Sequence, residues 1–301
     1  MTLFAGAALA NAIGEVEGVP TRLTVLSCEG RSVPAIIAGD TPVTDRVWLD
    51  YLEPAEVAAE IPVRFLPRFV HAKVEAKLWL DELSVAAPAS GMQPAPLIDF
   101  TQFTTWDEAA AWFQRYRSSH FKTLDRLHRK TEREIGPVSF NPADSDPAAF
   151  DQLIAWKRMH FARTGVGDPL AVRHNLELFR HLFGSGTLEL STLRGGDRLL
   201  AIIACVTVQG RVFYWMPSYD TGLSVLSPGN ALLNTLIRHS FERGDHEFDF
   251  MIGDEGYKFH YATHARLVGS LGPVPVSRRV RRFAGQAKRR LQAVTAGAEE
   301  T

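Results

Sequence analysis

The sequence predicts a mixed α/β (α+β) fold, and three observations carry that prediction. Residues 187–193, 199–208 and 211–217 read as strands separated by the reversals Gly195-Gly196 and Gln209-Gly210, the pattern of an antiparallel three-stranded meander. Two Asp-Pro pairs, Asp146-Pro147 and Asp168-Pro169, each precede an apolar run with helical spacing. Residues 227–262 then pass from a glycine-led helix through a short apolar strand into a dense polar turn.

Taken in order, residues 21–27 and 32–38 are short apolar stretches on either side of Glu29-Gly30, the signature of a hairpin. Residues 39–45 are turn-like, a brief segment follows at 47–52, and 54–60 has room for one or two helical turns. Residues 73–86 alternate in part and fit a strand or a short helix. Residues 86–96 hold three prolines and Gly91, which reads as a linker or a long surface loop. The chain thus divides into a smaller, incomplete α/β lobe at 1–96, a main domain at 97–272 and a tail at 273–301.

Thr105 and Glu108 have the spacing of a capping box, opening a helix that presents Ala109, Phe113 and Tyr116. A second helical run follows Ser119, with Phe121, Leu124, Leu127, His128 and Thr131 on one face and Arg126, Arg129, Lys130 and Arg133 as a basic edge. Residues 135–140 fit a strand. The first Asp-Pro helix presents Phe150, Leu153, Ile154, Lys157 and Phe161, and the second presents Leu176, Phe179 and Leu182. The loop between them, 163–168, connects the two helices or shapes an acceptor site, and His160 beside it is a candidate base or substrate contact. In the meander, 200–206 is uniformly apolar and belongs at the centre of a sheet covered on both faces. The tail carries Arg278, Arg279, Arg281, Arg282, Lys288, Arg289 and Arg290 with no acid before Glu299. A stripe of Val280, Phe283, Ala287, Leu291 and Val294 makes it amphipathic, which fits a docked helix, a nucleic-acid contact or a peripheral membrane contact.

Composition limits the function classes. The 301 residues are 46% hydrophobic, enough for a substantial core, and 33 basic residues against 34 acidic ones give no broad attraction for nucleic acid. Two cysteines, Cys28 and Cys205, sit in strand-like sequence and fit reduced buried thiols in the cytoplasm better than a disulfide framework. No run approaches 18 apolar residues, and residues 1–13 lack the basic start of a secretory signal. The sequence holds no GxSxG elbow, phosphate-loop lysine motif, dinucleotide fingerprint or HExxH helix, and its histidines are dispersed, so no metal is expected.

The chemistry concentrates in residues 227–262. Ser227 is placed to cap a helix, Pro228 suits its first turn, and Gly229 lets a ligand approach the backbone, so Ser227, Gly229, Asn230 and Ala231 form a candidate anion seat. Leu232, Leu233, Leu236, Ile237, Ser240 and Phe241 recur with helical spacing until Gly244. Residues 247–252 read as a strand with Phe248 and Phe250 on one face and Asp249 on the other. Asp254, Glu255, Tyr257 and Lys258 follow Gly253.

The order Ser227-Pro228-Gly229, amphipathic helix, Phe248-Asp249-Phe250, then G-x-E-x-Y-K at 253–258, resembles the CelD-type acyltransferases, a branch of the GNAT-like and Fem-related N-acyltransferases. The resemblance covers roughly 121–268 and implies a GNAT-like mixed sheet splayed near its middle. An acyl-CoA or acetyl-CoA thioester would enter the split with its pyrophosphate over the helix start, and a small-molecule or glycan amine would attack it directly. The GNAT donor loop has Gln or Arg, two residues, then Gly-x-Gly or Gly-x-Ala, and residues 226–231 keep only the Gly-x-Ala end. Related families use aminoacyl-tRNA as donor, which stands as one alternative, with the basic tail as its natural contact. A noncatalytic cell-envelope or polysaccharide-export protein on the same scaffold is the other. Within the expected chemistry Glu255 is the first choice of general base, with Asp254 as the alternative and Asp249 as a weaker one, and Tyr257 is either proton donor to the leaving thiolate or a structural hydrogen bond. Tyr214, Trp215 and Tyr219 are candidates for an aromatic wall or for core packing. Asp249 is a substrate contact or the anchor of its turn, and Lys258 holds an anionic group or a salt bridge.

Overall fold

The structure is a computed structural model that describes residues 7–28, 31–42, 59–60, 73–79, 93–165 and 167–269. The segment read at 47–52 and the basic tail lie outside the described residues. A first helix, α1 (Ala7–Glu17), precedes the expected hairpin of β1 (Thr21–Cys28) and β2 (Arg31–Ala38), which is extended by β3 (Thr41–Pro42). Residues 59–60, read as part of a helical turn, instead form β4 (Ala59–Glu60), parallel to β1. Leu9 and Ile13 of α1 and Ile36 of β2 join the same apolar core as the main helices, so this small sheet is packed onto the rest of the molecule.

The main sheet has eight strands among the described residues. After β5 (Lys73–Trp79), residues 93–96, read as the end of a proline-rich linker, instead belong to β6 (Gln93–Asp99), a strand inside the sheet. Its prolines are Pro94 and Pro96, and Ala95, Leu97 and Ile98 beside them are fully buried. The capping box at Thr105 forms as expected, with Glu108 N–H donating to Thr105 Oγ1 at 3.3 Å. It opens one continuous helix, α2 (Trp106–Glu134), where the sequence suggested two runs. Nothing at 117–119 breaks helical geometry, since neither Gly nor Pro occurs there. Next come β7 (Val138–Asn141), α3 (Pro147–Thr164) and α4 (Arg173–Gly184). Asp146 caps α3 by accepting from Ala148 N–H, as its position implied. Asp168 caps only the 3-10 turn Pro169–Ala171, and α4 begins after Val172 without a side-chain cap.

The meander is β8 (Glu189–Gly195), β9 (Arg198–Val208) and β10 (Arg211–Tyr219), each antiparallel to its neighbour. Then α5 (Pro228–Arg243) carries the chain over to β11 (Glu247–Asp249), parallel to β10, as a parallel pair requires. The last described strand is β12 (His264–Gly269), between β5 and β6. Two apolar cores cover the sheet. Phe150 and Leu153 of α3 and Phe179 and Leu182 of α4 fill one face, while Leu232, Leu233 and Ile237 of α5 fill the other.

Four charged side chains are buried between β10, β11 and β12. Arg211 pairs with Glu247 at 2.6 Å and with Asp249, and Arg266 pairs with Glu247 at 2.6 Å and Asp249 at 3.3 Å. Asp249 is wholly buried and also accepts from Met251 N–H at 2.7 Å. That bond ends the strand three residues earlier than the expected 252, because Met251 turns into the left-handed region at φ 60°. Arg211→Met should therefore cost about 3–5 kcal/mol, since it leaves two buried carboxylates sharing one guanidinium. Urea denaturation of both proteins measures this, and a loss below about 1 kcal/mol would mean that water reaches the network.

Candidate active site

The pairing of β10 with β11 sets up the site. It extends only over Arg211–Phe213, whereas β10 continues to Tyr219 along β9. From Tyr214 onward the sheet is split, and a cavity of about 510 Å³ occupies the split. In a regular strand Tyr214 and Tyr219, five positions apart, would face opposite sides. A bulge between Tyr214 and Met216 shifts the register by one, so both tyrosines line the cavity. Trp215 is left on the far face, where its ring lies 4.7 Å from Phe179, so it belongs to the core and not to the aromatic wall.

The start of α5 forms a second wall through Ser227, Gly229 and Asn230. Ser227 sits at φ 50°, ψ 47° and its side chain does not cap the helix, contrary to the sequence reading. Its hydroxyl instead accepts from Asn230 Nδ2 at 2.9 Å, which leaves the first turn of α5 open toward the cavity. Pro228 occupies the first helical position as expected. A Cβ on Gly229 would stand 3.1 Å from Tyr219 Cδ1, so the absence of a side chain there keeps Tyr219 and the helix start close together. Ala231 is partly buried and packs on the core behind this turn.

The polar turn after β11 provides the third wall. Glu255 and Tyr257 line the cavity, while Asp254 is exposed and outside it. Lys258 is buried and donates to Glu255 Oε2 at 2.9 Å and to the Ile252 carbonyl at 3.1 Å, so its role is to fix the turn. Gly253 has φ 149°, and a Cβ there would collide with the Glu255 carboxylate and Lys258 Nζ. Asp249 is committed to the buried charge network and to Met251 N–H and does not reach the cavity. The Tyr214 and Tyr257 hydroxyls share a hydrogen bond, in which either can donate. Burial pushes the Tyr257 hydroxyl well above the usual phenol range, the Tyr214 bond lowers it, and Glu255 raises it again, so it stays protonated.

The fourth wall is α3, and most of it was not singled out from the sequence. His160 lines the cavity, and so do Lys157 and Arg163 of the same helix. Lys157 had a legible signal: it continues the apolar stripe of Phe150, Leu153 and Ile154, all buried, at the next helical interval. A lysine on a core-facing stripe is either paired or at the edge of a cavity. Burial lowers the Lys157 ammonium to about 8, with Glu255 raising it and Lys258 lowering it. Burial, then Lys157 and Arg163, also hold the His160 imidazole below its ordinary value. Cys205 is buried and its thiol is pushed far up by burial, so it is no nucleophile at neutral pH. Among the described residues, no group of three or more His, Cys, Asp or Glu side chains gathers as a metal site would require. No helix among them is long and apolar enough to cross a membrane.

Comparison with known proteins agrees with this architecture. Residues 118–259 match a family model described as an acetyltransferase (GNAT) domain. No curated protein matches the sequence. Among solved structures, FemX aligns over 90% of this chain and 91% of its own at 10% identity with a TM-score of 0.54, which shows a shared fold. A conserved Bacteroides thetaiotaomicron protein of unknown function aligns over 89% and 92% at 10% identity with a TM-score of 0.48. L-PGS from Bacillus licheniformis aligns over 89% and 92% at 10% identity with a TM-score of 0.40. The family match runs from within α2 to the polar turn, and the cavity lies in the split of the sheet it covers, so residues 118–259 carry a GNAT-like acetyltransferase domain and the protein is an acyltransferase.

Proposed function

We propose that the enzyme moves an acyl group from a coenzyme A thioester to an amine by direct attack. The observation that supports this reading is the cavity in the sheet split, which brings the open start of α5 together with Glu255 and Tyr257. The free N–H groups and the positive end of α5 suit the pyrophosphate of the donor, and Gly229 allows it close to the backbone. Glu255 takes the proton of the attacking amine, directly or through a water. Its Oε2 is held by Lys258, while Oε1 makes no hydrogen bond among the described residues. The amine nitrogen bonds to the thioester carbonyl carbon, the carbon–sulfur bond breaks, and Tyr257 gives its proton to the departing sulfur. In this reading Tyr214 donates to the Tyr257 oxygen during that step, through the hydrogen bond the two hydroxyls share, and the Tyr257 hydrogen goes to the thiolate. No acyl-enzyme is needed.

Two measurements test this. In native mass spectrometry the protein should form a saturable complex with coenzyme A and with acetyl-CoA. Gly229→Val should weaken both complexes by about tenfold or more, because the added side chain meets Tyr219 and blocks the helix start. A folded protein that binds neither would remove coenzyme A as donor and leave aminoacyl-tRNA as the thing to test. Glu255→Gln should slow transfer by about 10²-fold or more at unchanged coenzyme A affinity. The same change removes the carboxylate that raises Lys157, so Lys157 should titrate below its value of about 8. Amine-selective labelling against pH reads that shift, and an unchanged rate with an unchanged Lys157 would exclude Glu255 from the site.

A further inference from the structure

The α3 wall of the cavity carries more positive charge than the protein itself answers. Lys157, His160 and Arg163 stand at i, i+3 and i+6 of α3, each a neighbour of the next along the helix surface, and all three line the cavity. Among the described residues neither Lys157 nor Arg163 has a hydrogen bond or an ion pair within 4 Å. The nearby acids are committed elsewhere, Asp168 to Arg158 at 3.5 Å and Asp220 to Arg198 at 2.6 Å. Glu255 is the one carboxylate in the lining, and Lys258 already holds it at 2.9 Å. A half-buried ammonium without a partner, beside a second cation, costs stability unless something anionic enters the cavity.

The anion in question is not the pyrophosphate of the donor. That group is assigned to the start of α5, which packs on one face of the sheet with Leu232 and Leu233, whereas α3 packs on the other face with Phe150 and Leu153. The two helices reach the cavity from opposite sides of the split, and a direct transfer brings its two substrates together from such opposite sides. Building on the acyl transfer proposed above, we propose that the acceptor is an amine that also carries an anionic group, a carboxylate or a phosphate. Lys157, His160 and Arg163 hold this anion while the amino group reaches Glu255. An anion there also opposes the lowering of Lys157 and His160 by adding counter-charge beside them.

Matched amines that differ only in the anion test this on the full chain: ethanolamine against phosphoethanolamine, and β-alaninamide against β-alanine. Binding is read by calorimetry without donor, and transfer by release of free thiol from acetyl-CoA. At least one anionic member should bind about tenfold or more tighter than its neutral partner, and the pair that shows it identifies phosphate or carboxylate. Lys157→Met and Arg163→Gln should each reduce that preference to about threefold or less, while Lys157→Arg retains most of it. Arg163 is exposed, so its substitution leaves the fold intact and keeps the test sound if the Lys157 variant misfolds. Equal binding within both pairs, no binding by either anionic member, or a preference that survives both substitutions would overturn the proposal. So would variants that lose coenzyme A affinity and keep the acceptor preference. Selective anion binding with no thiol release would instead reject acyl transfer and leave the anion site standing. Thiol release with neutral and anionic amines alike would do the reverse.

Discussion

The site depends on the buried pairing of Arg211 and Arg266 with Glu247 and Asp249. These four groups hold the three residues of β11 against β10 on one side and tie them to β12 nearby. A strand so short offers few ladder hydrogen bonds, and the ion pairs supply strength and register where the ladder cannot. The brevity of the contact is what creates the cavity. One more pair of residues in register would close the sheet over the space that Tyr214, Tyr219 and Tyr257 now border.

Asp249 couples that network to the chemistry. One oxygen faces the guanidinium groups, and the other draws Met251 N–H into a turn at positive φ, which sends the chain away from the strand direction. Gly253 then takes a φ that a side chain would contest, and Lys258 folds back onto the Ile252 carbonyl and Glu255. The position of Glu255 therefore follows from a sequence of local constraints beginning in the core, and none of them requires the exposed carboxylate itself to be buried. A carboxylate on a rigid short turn, held at one oxygen and exposed at the other, is preorganised without large desolvation cost.

Much of this was legible in the sequence because it rests on local rules. The meander was marked by its turn glycines, the Thr105 capping box by its spacing, α3 by Asp146-Pro147, and the opposite facing of Asp249 and Phe248 by period two. What was not legible depended on pairing across the chain. Pro94 and Pro96 look like a linker until Ala95, Leu97 and Ile98 are seen to be buried between β11 and β12. The bulge after Tyr214 has no distinctive residue, so alternation alone could not show that Tyr219 would join Tyr214 while Trp215 turned to Phe179. Ser227 has the identity of a capping residue but the wrong backbone region, and its open helix start is a consequence of a φ that no sequence pattern announces.

Lys157 shows how a local pattern becomes functional through its surroundings. Its helix stripe begins in the core with Phe150 and Leu153, and the same periodicity carries the next position beyond the packed layer to the edge of the split. An apolar residue there would extend the core and narrow the cavity. A charged one keeps the cavity open, because an unpaired ammonium cannot be sealed away from water or a counter-ion without a large penalty. The two faces of the sheet thus end in two different electrostatic devices. On the α5 side, backbone N–H groups at a helix start present partial charge at short range and fixed geometry. On the α3 side, long side chains present full charge over a wider, adaptable span. Rigid backbone donors favour an anion of one fixed geometry, and flexible cations favour anions of varied shape and position.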